Sequence, residues 1–203
     1  MDEFVHQIVV FITAHPNLAV FVIGAVAFGE SFAFVSFFFP GSAVLVAAGT
    51  LVQTGVLDPV SAASAAGIGA VLGDIFSYAI GRKFGAALPK RWPFRKHPQA
   101  LERGVGFFKR YGWASVFIGR FFGPLRAFVT LVAGMFRMGV VPFLAASILS
   151  AAVWAPALLF SGYLLSLAFA SNWTMQQKLI ALAAAVVAVF VLAIAARRAF
   201  RVR

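Results

Sequence analysis

The chain has 203 residues, of which 62% are hydrophobic and 11% are charged, and its mean hydropathy is +0.95. A soluble domain averages about 45–50% apolar and about 25% charged residues. The composition therefore excludes an ordinary soluble domain and predicts an integral membrane protein. The absence of cysteine also excludes disulfides and thiolate metal sites.

Four apolar segments are each long enough, at about 20 residues, to cross a bilayer as a helix. They are residues 4–27, 58–81, 140–168 and Met175–Ala196. We expect a kink at Pro16, and we expect the acidic N-terminus to be retained, because a signal peptide would begin with basic residues. Small residues in the second segment, such as Gly67, Gly69 and Gly73, permit close helix packing within one chain or in a homo-oligomer.

The net charge of +11 is concentrated in two places. Nine Lys and Arg residues lie between Arg82 and Arg110 against one acid, Glu102, and the tail 197–203 adds four arginines. Positively charged loops are typical of the cytoplasmic side of a membrane protein. We therefore predict that both regions are cytoplasmic, and we expect no nucleic-acid partner.

The basic region contains a polar segment, residues 89–110. Leu101, Val105 and Phe108 follow one another at i, i+4 and i+7 within it. This spacing predicts a short amphipathic helix lying on an anionic leaflet. A plain solvated loop is the alternative.

Two further apolar segments are interrupted by helix-breaking dipeptides. Pro40-Gly41 divides residues 28–56, and Gly123-Pro124 divides residues 114–139. The pieces on either side reach about half way across a bilayer, so each segment predicts a re-entrant hairpin. If the basic loop and the tail are both cytoplasmic, the hairpins enter from opposite faces and both termini are cytoplasmic.

The two hairpins resemble each other. Gly29-Glu30 precedes the first break and Gly119-Arg120 precedes the second, and an Ala-Gly pair follows each break. With opposite entry faces this pattern predicts an inverted repeat, in which broken helices meet around a substrate near the midplane. Chance similarity is the alternative.

The breaks have a chemical consequence. Proline suits the first turn of a helix, so we expect Pro40 and Pro124 to open the second arm of each hairpin. The free N–H groups of a helix N-terminus favour an anion. Ser42 and Arg126 fall in the first turns of these arms, and a guanidinium grips two phosphate oxygens at once. Arg120 lies just before the second break.

Four charged residues lie in apolar surroundings: Glu30, Asp74, Arg120 and Arg126. Each costs about 2.5–3.5 kcal/mol at a bilayer centre on insertion scales, so we expect them to be paired or to face a wet cavity. They form either a substrate or proton pathway or an interior ionic contact. Asp74 in particular serves either proton coupling or helix packing.

No catalytic motif is present. The histidines lie in the N-terminal segment and the basic loop, away from these four charged residues. The sequence also has no HExxH, GxSxG or Walker loop. We therefore expect no enzyme activity, no metal and no cofactor. Trp154 lies in the 140–168 span and predicts an interfacial anchor more readily than a ligand.

Several motifs together resemble the DedA family, also called the VTT or SNARE-associated Golgi protein family. They are GES…FFFPGS…AAGTL, GD…Y.IGR..G, F..RYG…FIGRFFGPLRAFVTLVAGM..M and W…GY, from about residue 24 to residue 165. The resemblance implies a bacterial inner-membrane protein that moves undecaprenyl phosphate or a phospholipid, in some members with the proton-motive force. Its functional residues match Glu30, Arg120 and Arg126. Several members carry a second acid where this chain has Ser42, which argues against tight proton coupling by an acidic pair, although Glu30 and Asp74 remain available.

We therefore predict one all-α polytopic membrane domain over residues 1–203, with about four transmembrane helices and two opposed re-entrant hairpins. Its parts are the core 24–165, the basic loop 89–110, the C-terminal helix 175–196 and the basic tail 197–203. The predicted function is translocation of an anionic lipid, with headgroup binding by Arg120, Arg126, Ser42 and Glu30 and proton coupling by Glu30 and Asp74. The alternatives are a proton-coupled small-ion transporter, an intramembrane enzyme acting on lipid phosphates, and an assembly factor without transport.

Overall fold

The structure is a computed structural model that describes residues 15–33, 35–36, 41–85, 98–122 and 125–170. Its described residues form helices joined by turns, without a β-strand, so the all-α prediction is confirmed. The helices are α1 (Pro16–Ser31), α2 (Gly41–Gln53), α3 (Pro59–Phe84), α4 (Pro98–Tyr111), α5 (Ala114–Gly119), α6 (Leu125–Met135) and α7 (Val140–Ala170). Residues up to Tyr163 form one compact unit, and the described part of a second unit is helical residues 164–170.

Among the described residues, two helices are long and apolar enough to cross a membrane, Pro59–Phe84 and Val140–Ala168. They coincide with the predicted spans 58–81 and 140–168. The predicted span Met175–Ala196 and tail 197–203 lie outside the described residues.

Residues 4–14 of the first predicted span, 4–27, lie outside the described residues, and the described part differs from the prediction at Pro16 and at its end. Pro16 is the first residue of α1 instead of a kink within a helix, and His15 before it has non-helical dihedrals. Proline is tolerated at this position because a helix leaves its first N–H groups unbonded. The helix also continues to Ser31, beyond the predicted end at residue 27.

Both predicted breaks separate two helices. The helix α2 begins at Gly41 and α6 begins at Leu125, each directly after the expected proline. Pro40, Gly123 and Pro124 themselves lie outside the described residues. The first arms differ from the prediction, because residues 28–31 are the last turn of α1 and α5 has only six residues.

Glycines of α3 let α1 approach closely. A Cβ atom at Gly69 would lie 2.0 Å from the carbonyl oxygen of Gly24, and one at Gly73 would lie 2.5 Å from that of Phe28. Any side chain at these positions would push the two helices apart. Gly67 has no such neighbour within 4 Å, so the predicted close packing involves the other two glycines.

Two further pairs of helices also pack closely at a glycine. A Cβ atom at Gly81 of α3 would lie 1.9 Å from the carbonyl oxygen of Leu131 in α6. One at Gly162 of α7 would lie 1.8 Å from the carbonyl oxygen of Val46 in α2. The long helix α3 thus contacts α1 along one part of its length and α6 along another.

The predicted amphipathic helix is confirmed as α4, but its apolar face has a different partner. Val105 and Phe108 pack against a buried cluster that includes Phe128 and Val132 of α6. A Cβ atom at Gly104 would lie 3.2 Å from the Cβ atom of Phe128. This apolar face therefore covers α6, and contact of α4 with an anionic leaflet stays a prediction. Residues 89–97 of the predicted segment lie outside the described residues.

Candidate functional site

Three of the four charged residues singled out from the sequence lie at helix ends or breaks, and the fourth lies within a helix. Glu30 is in the last turn of α1, Asp74 is in the middle of α3, Arg120 directly follows α5, and Arg126 is in the first turn of α6. All four are buried, with exposed fractions between 2% and 9%. The fold forms two acid–arginine pairs from them.

The first pair joins Asp74 and Arg120. Arg120 Nη2 contacts Asp74 Oδ2, and each side chain is 3% exposed. Ser147 of α7 donates to the same Asp74 oxygen at 2.6 Å. Arg120 Nε donates to Ser150 Oγ at 2.8 Å, also in α7. These contacts connect α3, the break after α5, and α7.

The second pair joins Glu30 and Arg126. Arg126 Nη2 lies 3.4 Å from Glu30 Oε1. The same guanidinium donates from Nε to the Glu30 carbonyl oxygen at 3.3 Å and from Nη2 to Ser31 Oγ at 3.4 Å. Each of these distances is longer than the 2.8 Å from Arg120 Nε to Ser150 Oγ, although Arg120 Nη2 also donates to Ser147 Oγ at 3.5 Å. The closest contacts of Arg126 are therefore longer than those of Arg120.

Ser42 and Gly41 complete the surroundings of the Glu30 carboxylate. The Ser42 hydroxyl donates to Glu30 Oε1, and a Cβ atom at Gly41 would lie 2.6 Å from Glu30 Oε2. The carboxylate therefore sits at the N-terminus of α2, which the helix dipole makes favourable for a negative charge. Glu30 occupies the place where the sequence predicted that a phosphate would bind.

The two pairs meet at Trp154 of α7. The Cζ atoms of Arg126 and Arg120 lie 4.5 Å and 5.6 Å from its ring centroid. Each distance is within the range of a cation–π contact. Trp154 is 6% exposed, so the prediction of an interfacial anchor is wrong.

Two residues of this site, Ser147 and Ser150, were missed from the sequence, and a third, Trp154, was interpreted as an anchor. The three lie at i, i+3 and i+7 of α7 and therefore on one face. Trp154 is also near the middle of the 31-residue helix. Together, the mid-helix position and the shared face are a sequence signal for an interior polar stripe.

Tyr78 lies four residues after Asp74 in α3 and therefore on the same face of that helix. Its hydroxyl donates to the carbonyl oxygen of Met138 and accepts from Arg82 Nη1 at 3.0 Å. Tyr78 therefore belongs to a separate contact towards the end of α3. Glu30 Oε2 and Arg120 Nη1, in contrast, are buried atoms without a hydrogen-bond partner among the described residues.

Comparison with known sequences agrees with the motifs at the breaks. Residues 39–164 match the VTT domain. The chain belongs to the VTT-domain family, which includes the DedA proteins. Asp74, Arg120 and Arg126 lie inside the matched range, and Glu30 precedes it.

The relatives of this VTT-domain protein are membrane proteins. It is 36% identical to the uncharacterized membrane protein Rv2637 of Mycobacterium tuberculosis over 179 residues, which cover 85% of this chain and 80% of the relative. It is 32% identical to the inner membrane protein YabI of Escherichia coli K12 over 155 residues, 76% of this chain and 61% of YabI. The match to the uncharacterized membrane protein BU139 of Buchnera aphidicola is 30% identical and covers 78% of this chain and 62% of BU139. No solved structure matches the chain.

Proposed function

We propose that this VTT-domain protein translocates an anionic lipid, a polyprenyl phosphate or a phospholipid, across the cytoplasmic membrane. One observation carries the proposal: the Glu30 carboxylate lies between Arg126 and the N-terminus of α2, with a hydrogen bond from Ser42. The three groups form an anion site, and a side chain of the protein itself fills it.

In this mechanism the lipid phosphate replaces Glu30 beside Arg126. Protonation of Glu30, or its displacement, leaves the guanidinium free for two phosphate oxygens. Trp154 keeps one face of that guanidinium covered by an aromatic ring while the partner changes. The first-turn N–H groups of α6, which have no partner within the helix, add to the same positive field.

The two arginines then have different roles. Arg120 is fixed by Asp74 and Ser150, whereas Arg126 has longer contacts and a partner that the substrate replaces. Arg120 contributes its unpartnered Nη1 to the bound phosphate. Proton coupling runs through Glu30, and the Asp74 carboxylate stays paired.

The same proposal gives the membrane arrangement. The breaks before α2 and α6 belong to re-entrant hairpins that enter from opposite faces, as an inverted repeat. Both termini are cytoplasmic, and the protein spans the inner membrane several times. It moves the lipid without covalent chemistry.

Reconstituted proteoliposomes test the proposal. Fluorescent phospholipid and short-chain polyprenyl phosphate are supplied in parallel, with and without a pH gradient, and headgroup binding is measured on the same preparations. We expect Arg126→Gln to abolish both binding and translocation. Glu30→Gln removes the carboxylate that competes with the lipid phosphate for Arg126. We therefore expect headgroup binding to persist and translocation to slow, because no internal anion helps to release the bound headgroup.

The double variant Glu30→Gln/Arg126→Gln controls for misfolding, because it leaves neither charge buried alone. We expect it to fold and to remain inactive, whereas Arg110→Gln, at an exposed position of α4, retains wild-type rates. Wild-type translocation by the double variant would refute the headgroup site and leave the two charges as an interior contact. Transport of a water-soluble ion, independent of the lipid supplied, would favour the small-ion transporter.

A further inference from the structure

We propose a second lipid site on this protein, separate from the charged cluster: a groove between α3 and α7 that binds one anionic phospholipid. The groove has a volume of about 460 Å³, within the range of about 300–1,000 Å³ that ligand sites occupy. Ile75 and Ala79 of α3 and Val140 and Leu144 of α7 are among its lining residues, and Arg82 and Lys83 also line it.

The groove follows from how α3 and α7 pack. Asp74 meets Ser147 inside the charged cluster, and one turn further along α3 the ring of Tyr78 stacks on Phe143 at 4.3 Å. Beyond this aromatic pair, Ala79 of α3 is too small to fill the space beside α7. The resulting walls are apolar, which suits an acyl chain.

The end of α3 supplies the positive charge. Arg82 Nη1 donates to the Tyr78 hydroxyl at 3.0 Å, which holds the guanidinium on the groove wall. Its other N–H donors have no partner among the described residues. Lys83 Nζ lies 5.8 Å from the centroid of the Phe84 ring. Both side chains are exposed and available to a ligand.

No described carboxylate neutralises this end of α3. Asp74 and Glu30 pair with the two buried arginines, and Asp58 caps the opposite end of the helix. Glu102 forms no ion pair with Arg82 or Lys83 within the described part of the chain. Within the described part of the chain these cations are therefore without a counterion, and we propose that an anionic ligand supplies one.

A third basic residue, Arg137, is next in the chain to a residue that contacts Tyr78. Arg137 is exposed and occupies the left-handed region with φ of 52°, which is uncommon for a residue other than glycine. It directly precedes Met138, whose carbonyl oxygen accepts the Tyr78 hydroxyl. The turn between α6 and α7 thus brings another cation close to the Tyr78 end of the groove.

Apolar walls next to unneutralised cations fit a phospholipid better than a soluble anion. An acyl chain gains little by moving from the surrounding lipid into the groove, because lipid tails are as apolar as the groove walls. Selectivity must come from the headgroup, and a basic residue near a membrane surface contributes about 1 kcal/mol to binding an anionic lipid. The site should therefore prefer phosphatidylglycerol to phosphatidylcholine.

The groove is distinct from the proposed translocation site. Arg82 lies eight residues beyond Asp74, or about 12 Å along the helix. A lipid can occupy the groove without entering the charged cluster. Lipid binding in the groove therefore does not depend on translocation.

Native mass spectrometry of the full chain in detergent, titrated with dioleoyl phosphatidylglycerol or dioleoyl phosphatidylcholine, tests the site. We expect one tightly bound phosphatidylglycerol. Arg82→Gln/Lys83→Gln should weaken it by about 25-fold, or about fivefold for each charge removed. The matched control Lys109→Gln/Arg110→Gln removes the same charge from exposed positions of α4 that do not line the groove, and it should bind like wild type.

Ala79→Phe fills the groove and keeps both cations, and we expect it to weaken phosphatidylglycerol binding. Equal binding of the two lipids would overturn the proposal, because it would show that the cations do not select the headgroup. An equal loss in the α4 control would overturn it in favour of general attraction to the basic surface. Unchanged binding by Ala79→Phe would overturn the groove as the site. The variant Glu30→Gln/Arg126→Gln should keep the bound lipid, so failure of this site and failure of the translocation site are distinguishable.

Discussion

Replacing Asp74 by asparagine should destabilise the protein strongly, because Arg120 would remain buried without its counterion. Each side chain of the pair is only 3% exposed, so water cannot take the place of the missing partner. Ser147 and Ser150 would still contact their neighbours, but hydroxyl groups carry no charge. Removing one partner of a buried ion pair costs about 3–5 kcal/mol.

A cost of this size corresponds to a fall in Tm of about 6–20 °C for a chain of roughly 200 residues. Arg120→Gln should show a loss of the same order, because it leaves the Asp74 carboxylate unpaired. The double variant Asp74→Asn/Arg120→Gln leaves no buried charge. Its loss should be smaller than the sum of the two single losses, since replacing a whole buried pair is often close to neutral.

Thermal unfolding of the purified protein in one detergent, followed by circular dichroism, measures all four members of this cycle. If the two side chains stabilise each other, the coupling energy between the two positions should be about 0.5–3 kcal/mol. Arg110→Gln serves as the reference for loss of a positive charge at an exposed site. Additive losses in the double variant would show that the two side chains do not stabilise each other, and would refute the assignment of the pair.

Further predictions follow from single contacts. Gly162→Leu should lower Tm markedly, because the new side chain meets the Val46 carbonyl of α2, whereas Gly67→Ala, with open space around it, should leave Tm unchanged or raise it slightly. Trp154→Phe should keep the fold but weaken headgroup binding severalfold, since phenylalanine makes a weaker cation–π contact than tryptophan; unchanged binding would contradict a role for the indole ring. The hydrogen bond from the Ser61 backbone N–H lowers the pKa of the Asp58 carboxyl from its ordinary value of 3.8. Asp58 therefore stabilises α3 fully at a pH above 3.8, and this stabilisation is lost as the pH falls through the lowered pKa. Asp58→Ala should therefore be less stable than wild type at neutral pH and match it in acid, and a Tm difference that persists in acid would exclude this cap.

Local patterns were sufficient to predict several elements of the fold. The spans 58–81 and 140–168 follow from continuous hydrophobicity, and the starts of α2 and α6 follow from the proline before each. The expectation that buried charges are paired also follows from the cost of leaving them alone. These predictions depend on residues that are close in sequence or on composition, which one chain displays directly.

The identity of each ion pair could not be predicted in the same way. Glu30 and Arg126 are 96 residues apart, and Asp74 and Arg120 are 46 residues apart. Their pairing depends on how α1 and α6 pack against α3, which is set by close contacts at glycine residues and not by any local pattern. The role of Trp154 has the same origin, because its partners come from two other segments of the chain.

Charge balance connects the pairs to the proposed activity. Each pair sums to zero, so the empty cluster has little net charge, and a buried phosphate would add an unbalanced negative charge. Protonation of Glu30 corrects this balance, because it leaves Arg126 as the counterion of the phosphate. With Ser42 beside it in place of a second acid, Glu30 is the only carboxylate in ion-pair contact with Arg126 among the described residues. For a phosphodiester headgroup, which carries one negative charge, we therefore propose that one proton is taken up at Glu30 for each headgroup bound.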